Sequence, residues 1–269
     1  MLSYMLKLLI IMDRMVEGEM TLTVLEYILM GFVAQLIDGA LGMAYGVSLT
    51  SFLLTSGLAP SVASASVHTS EVFTTFVSGL SHFKVGNIDK KLFKELVVSG
   101  SIFACFGAYL LVNIPTWFMK PIVSLYLGIM GVLILLRSFN RDPPTYKLNR
   151  SILAAIGGFL DALGGGGWGP IVASTLIADG EDPAKTIGSV NLAEFFVTIC
   201  QSLAFLTMLG LRNLHIILGL IIGGVIAAPL GAIACKKIPR RALMLLVSVL
   251  LICLSVRGVI RGTLQLNGR

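Results

Sequence analysis

Apolar residues collect in long runs at residues 22–37, 61–81, 96–112, 121–136, 151–163, 186–209, 214–235 and 242–256. Several approach the ~20 residues that a helix needs to cross a bilayer. The ten-residue alternation of a membrane barrel is absent, and a backbone in hydrocarbon must satisfy its own hydrogen bonds, so the runs predict helices. The expected fold is an all-α polytopic membrane protein with about eight hydrophobic helical segments. Two runs end in an acid followed by clustered glycines: IDGALGMAYG at 37–46 and LDALGGGGWG at 160–169. Short apolar stretches follow, Val47 to Leu54 and Ile171 to Ala178. Each region therefore predicts a broken or re-entrant helix. Gly39, Gly42 and Gly46 supply the backbone freedom in one, and Gly164, Gly165, Gly166, Gly167 and Gly169 in the other.

The two breaks belong to a duplication. One constant offset carries Asp38 onto Asp161, Gly42 onto Gly165, Tyr45 onto Trp168 and Gly46 onto Gly169. It continues through Gly57 and Gly180, Pro60 and Pro183, Ser66 and Ser189, and Glu71 and Glu194; later the offset grows by one residue, placing Gly107 on Gly231 and Pro115 on Pro239. The predicted organisation is an interfacial segment at 1–20, a first transmembrane repeat at 21–137, a basic linker at 138–150 and a second repeat at 151–269. If each break turns the chain back to the side it came from, the repeats are inverted. Only then do the basic loops Lys84 to Lys94, Arg137 to Arg150 and Lys236 to Arg241 share one side, which the positive-inside rule makes cytoplasmic, with both termini outside.

The segment after each break carries polar residues on one helical face. His68, Glu71 and Thr75 are spaced i, i+3, i+7, and Asn191, Glu194 and Thr198 repeat that face at the same offset. The later segments of each half are plainer, with small residues that permit close helix packing. Such faces serve internal packing as readily as a homodimer.

Composition narrows the function classes. The chain is 56% hydrophobic and 13% charged, with a mean hydropathy of +0.91, whereas soluble domains carry roughly a quarter charged residues. The net charge of +6 sits in loops and reads as topogenic and lipid-facing charge, not a nucleic-acid footprint. Cys105, Cys200, Cys235 and Cys253 are scattered singly, and neither cysteine nor histidine spacing suggests a metal or any other cofactor. Gly164, Gly166 and Gly169 satisfy GxGxxG, yet the strand and soluble βαβ unit that this motif requires are missing.

A break inside the membrane frees N–H groups at the start of the following half-helix, where the helix dipole also favours negative charge. Paired breaks in two halves point to a transporter site near the midplane. The expected substrate-binding residues are the eight glycines named above, Tyr45, Trp168, Ser66, Ser189 and Asn191. Asp38, His68, Glu71, Asp161 and Glu194 are expected as coupling or structural polar residues, since acids in hydrocarbon must face a cavity, pair or carry a proton. His68 with Glu71 can carry a coupling proton, while Asp38 and Asp161 can bind free amides of the breaks. No Lys or Arg stands in a central segment near the breaks, so an anion would be met by amides, dipoles and hydroxyls.

The DGALGMAYG and DALGGGGWG breaks, the following Ser-Val-His/Asn-x-x-Glu segments and the eight hydrophobic runs around a basic linker resemble the sulfite exporter TauE/SafE family. The resemblance implies a secondary transporter of small sulfur-containing anions, such as sulfite, thiosulfate or an organosulfonate, in a bacterial or archaeal plasma membrane. It leaves open the anion and the direction of transport. An uncoupled anion channel and a structural membrane subunit are the competing readings. An intramembrane enzyme would need a nucleophile–base pair or a metal cluster, and the three histidines His68, His82 and His215 occur singly without HExxH or GxSxG motifs.

Overall fold

The computed structural model describes residues 24–139, 148–235, 237 and 239–267, and side chains in the last helix from 241 to 256. The expected interfacial segment at 1–20 and most of the basic linker at 138–150 lie outside the described residues. The described residues are helical and contain no strand. In chain order the helices are α1 (Val24–Leu41), α2 (Tyr45–Thr55), α3 (Pro60–Lys84), α4 (Lys90–Asn113), α5 (Thr116–Phe139), α6 (Arg150–Gly164), α7 (Gly169–Ala178), α8 (Pro183–Leu209), α9 (Leu214–Ala234) and α10 (Arg240–Asn267).

Five helices, α1, α4, α5, α8 and α9, are long and apolar enough to cross a membrane. The sequence predicts about eight segments; the one at 242–256 lies in α10, whose side chains are described over 241–256 alone, and the rest of the difference has a physical origin. α3 is 25 residues long, but Ser64, Ser66, His68, Ser70, Glu71, Thr74, Thr75 and Ser78 are buried along it and dilute its apolar character. α2, α6 and α7 are short because glycine and acid residues interrupt their runs. Local signals set the ends. Pro60 and Pro183 open α3 and α8, where a missing N–H is harmless. Asp89, Asn149 and Asp182 cap α4, α6 and α8 by accepting backbone N–H bonds. The exposed Asp89 carboxyl is held below its usual range by the N–H of Leu92 and, less strongly, that of Lys91.

Small residues decide which helices meet. α1 lies parallel to α9, with Gly31 against Leu220 and Gly39 against Gly231; α4 lies parallel to α6, with Ser151 bonding Glu95 O at one end and Gly107 against Ala162 at the other. α3 and α8 cross in opposite senses, Gly79 against Leu192 near one end and Ser66 near Phe205 and Leu209 toward the other. α5 and α10 also run antiparallel, with Gly128 against Ser255 and Gly131 against Leu251. The outer faces of these helices carry exposed Leu, Ile, Val and Phe, as expected where lipid is the solvent. The polar residues of α3 and α8 face each other in the interior.

Candidate functional site

The interior site starts from the two breaks, which cross one another. Gly42 and Gly165 hold left-handed conformations, φ +69° and +66°, that end the helices preceding them. Beyond these turns the strands of backbone touch. A Cβ on Gly46 would stand 2.8 Å from Gly166 Cα and 2.9 Å from Gly165 O; one on Gly169 would strike Gly42 O and come within 2.5 Å of Met43 Cα. A Cβ on Gly166 would collide with Val47 N and the Gly46 carbonyl carbon. Glycine is required at this crossing because backbone occupies the space of a side chain.

Asp161 organises the second break. Its Oδ1 accepts N–H bonds from Gly167 (2.7 Å) and Trp168 (3.0 Å), and Oδ2 accepts from Gln201 Nε2 (2.7 Å). Its carbonyl accepts from Gly166 N at 3.1 Å. Asp38 in the first break is more sparsely held: Oδ1 receives Tyr45 N at 3.4 Å, and buried Oδ2 has no partner among the described residues. The amides that the second break frees are thus bound by a carboxylate of the chain itself.

Against this centre lies a buried cluster of titratable groups. His68 Nδ1 is 2.6 Å from Glu71 Oε2 and 3.9 Å from Asp161 Oδ2, while Nε2 faces Asp161 O at 3.3 Å. A carbonyl can only accept, so this contact puts a hydrogen on Nε2 and leaves Nδ1 and Glu71 to share the other. Glu71 Oε1 would be 3.2 Å from a Cβ on Gly46, which places this carboxyl at the crossing of the breaks. Phe205 stacks on the His68 ring, centroids 6.2 Å apart. Asp38, Glu71, Asp161 and Glu194 all lie within electrostatic reach of one another.

The other expected site residues divide between this centre and the packing around it. Gly164 and Gly167 lie beneath Tyr126, whose hydroxyl donates to Gly166 O at 3.2 Å. Trp168 is fully buried, donates from Nε1 to Val190 O at 3.2 Å and packs on Gly100; Tyr45 bonds Ser70 Oγ at 3.0 Å and packs toward Gly224, the position equivalent to Gly100. Gly39 sits in the α1–α9 crossing, its carbonyl 3.1 Å from His82 Nε2. Asn191, equivalent to His68, accepts from Ser78 Oγ at 2.8 Å and donates to Ile187 O at 3.1 Å. Glu194 is buried close by. Ser189 accepts from Asp89 N at 2.7 Å, and Ser66 donates to Val62 O at 2.9 Å beside a cleft.

Two participants, Tyr126 and Arg137, went unrecognised in the sequence. Tyr126 is the one aromatic residue in the 121–136 run, a signal that was there to use. Thr50 donates to Gly165 O at 2.6 Å and ties the two breaks together. Arg137 corrects the expectation that no cation stands near a break: from the end of α5 it donates to Pro170 O at 3.3 Å and Thr175 Oγ1 at 3.4 Å. It appeared to belong to the linker because its own helix ends there. Among the described residues no group of His, Cys, Asp and Glu is arranged to hold a metal ion.

A multi-pass helical membrane protein with an acid-held break beside a buried histidine is the class that this geometry defines. The family model described as "Sulfite exporter TauE/SafE" matches residues 27–258, and the chain belongs to that family. The chain is also similar to the "Probable membrane transporter protein YtnM" of Bacillus subtilis (strain 168), 42% identical over 241 residues that cover 86% of this chain and 80% of that protein. Family and relative agree on a membrane transporter. No solved structure matches the chain.

Proposed function

We propose that this protein is a secondary transporter of small sulfur-containing anions across the plasma membrane, coupled to protons and working by alternating access. The anion is sulfite, thiosulfate or an organosulfonate. The observation that carries the reading is the Asp161 carboxylate on the Gly167 and Trp168 amides, next to the His68–Glu71 pair. A carboxylate and a sulfur oxyanion make the same demand on two converging N–H donors. When a proton passes from Glu71 through His68 to Asp161, the internal carboxylate loses its charge and its hold on those amides weakens. The substrate anion then takes the vacated donors, and proton and anion cross together. Release of the proton on the far side restores Asp161 to the amides and expels the anion.

The alternation is proposed to come from two inverted halves. Helices equivalent under the duplication, α3 with α8 and α5 with α10, run antiparallel where they cross, as an in-plane two-fold axis would require. The parallel contacts α1–α9 and α4–α6 are also exchanged by that axis.

The test is uptake of radiolabelled sulfite, thiosulfate and a short alkanesulfonate into proteoliposomes, with and without an imposed pH gradient. Accumulation of one anion above its external concentration under the gradient is expected. Equilibration independent of the gradient would make the protein a channel, and no flux of any of them would end the reading.

A further inference from the structure

A cleft between α3 and α8, under the α8–α9 turn, is lined by Ser66, Thr69, Phe205, Leu209, Gly210 and Arg212, among others. No acid lines it, and Arg212 is its single charged side chain. Arg212 is exposed and makes no hydrogen bond or ion pair with any described residue. The floor is Phe205, whose ring separates the cleft from the imidazole on which it stacks.

The duplicated place on the other side is closed. There the α3–α4 turn docks onto α8. A Cβ on Gly188 would strike Asn87 O, and Ser189, the equivalent of Ser66, both accepts from Asp89 N at 2.7 Å and donates to Asp89 O at 3.2 Å. The α8–α9 turn makes no such closure over Ser66, whose hydroxyl bonds only its own helix. One sequence pattern is therefore sealed at one end of the interior and open at the other.

We infer that this cleft is an anion-binding vestibule, in which Arg212 captures a small oxyanion and Phe205 is the gate to the His68 centre. The inference rests on the transport reading for its purpose, but the binding it assigns is measurable without flux. A guanidinium is suited to the ligand because it offers several N–H donors in one plane to oxyanion oxygens. The Thr69 hydroxyl, now bonded to Ala65 O at 2.6 Å, can rotate to the ligand. A tetrahedral lipid headgroup shares this chemistry with a soluble anion, so the test separates the two.

In full-length protein with Cys105, Cys200, Cys235 and Cys253 replaced by Ser, Thr69→Cys is reacted with a membrane-impermeant maleimide in liposomes of neutral lipid. Methanesulfonate, which does not consume the reagent, is the probe anion. Its presence should slow labelling, and Arg212→Gln should raise the concentration needed by about tenfold, the size of one charge-assisted hydrogen bond, with Arg212→Lys restoring part of it. Ala65→Cys, also on the cleft, serves as the reporter if Thr69→Cys does not fold. Absence of protection, or protection indifferent to Arg212→Gln, would overturn the vestibule. So would blockage that appears only when anionic lipid is added, since the occupant would then be a headgroup. Protection without flux would instead leave the vestibule standing and remove the transport reading.

Discussion

The two breaks share a pattern yet are built to different specifications. In the second, the acid is saturated: Asp161 receives two backbone amides and a glutamine amide, and Tyr126 and Thr50 bond the neighbouring carbonyls. In the first, Asp38 has one long bond and an unpartnered oxygen. The following helices differ in the same way. α3 offers His68 and Glu71 as a proton-carrying pair, whereas α8 offers Asn191, an amide that titrates nowhere near neutral pH, in the place of the histidine. Under the proposed function this difference would be a division of labour: the second break would supply the donors for an anion, and the first half the proton that releases them.

This contrast can be broken at three levels. Gly166→Leu should have the largest effect, because its Cβ would enter the Val47 backbone; a loss of about 3 kcal/mol from overpacking, read as a lower thermal unfolding midpoint in detergent, should accompany loss of transport. Next, Asp161→Asn places an amide donor against either Gln201 or the break amides. It should cost about 2 kcal/mol, the scale of a hydrogen bond to a charged group, and should abolish gradient-driven uptake. Asp38→Asn should be the mildest, below about 1 kcal/mol, because only one long bond is at stake. Equal costs at the two aspartates would remove the contrast.

Much of this arrangement could be read from the residues, for reasons that differ by element. The breaks were visible because glycine clusters and acids interrupt apolar runs, and the offset between the copies was exact enough to pair Tyr45 with Trp168. The polar faces of α3 and α8 followed from helical periodicity. That Asp161 would bind amides of its break was readable as well; which amides, those of Gly167 and Trp168, depends on how the chain turns at Gly165, a left-handed residue that no periodicity announces. Arg137 and Tyr126 reach the second break from another helix, and such contacts depend on tertiary packing. The Arg212 cleft depends on the two ends of the interior being in different states, whereas a repeated sequence suggests that they are alike.

The most direct test of the division of labour compares Glu71→Gln with Glu194→Gln in proteoliposomes, measuring anion accumulation under an imposed pH gradient together with anion exchange at equal pH. The account predicts that Glu71→Gln loses both accumulation and exchange, because nothing then protonates Asp161 off the break amides, while Glu194→Gln still accumulates the anion. Accumulation that survives Glu71→Gln, or that is lost only in Glu194→Gln, would contradict it.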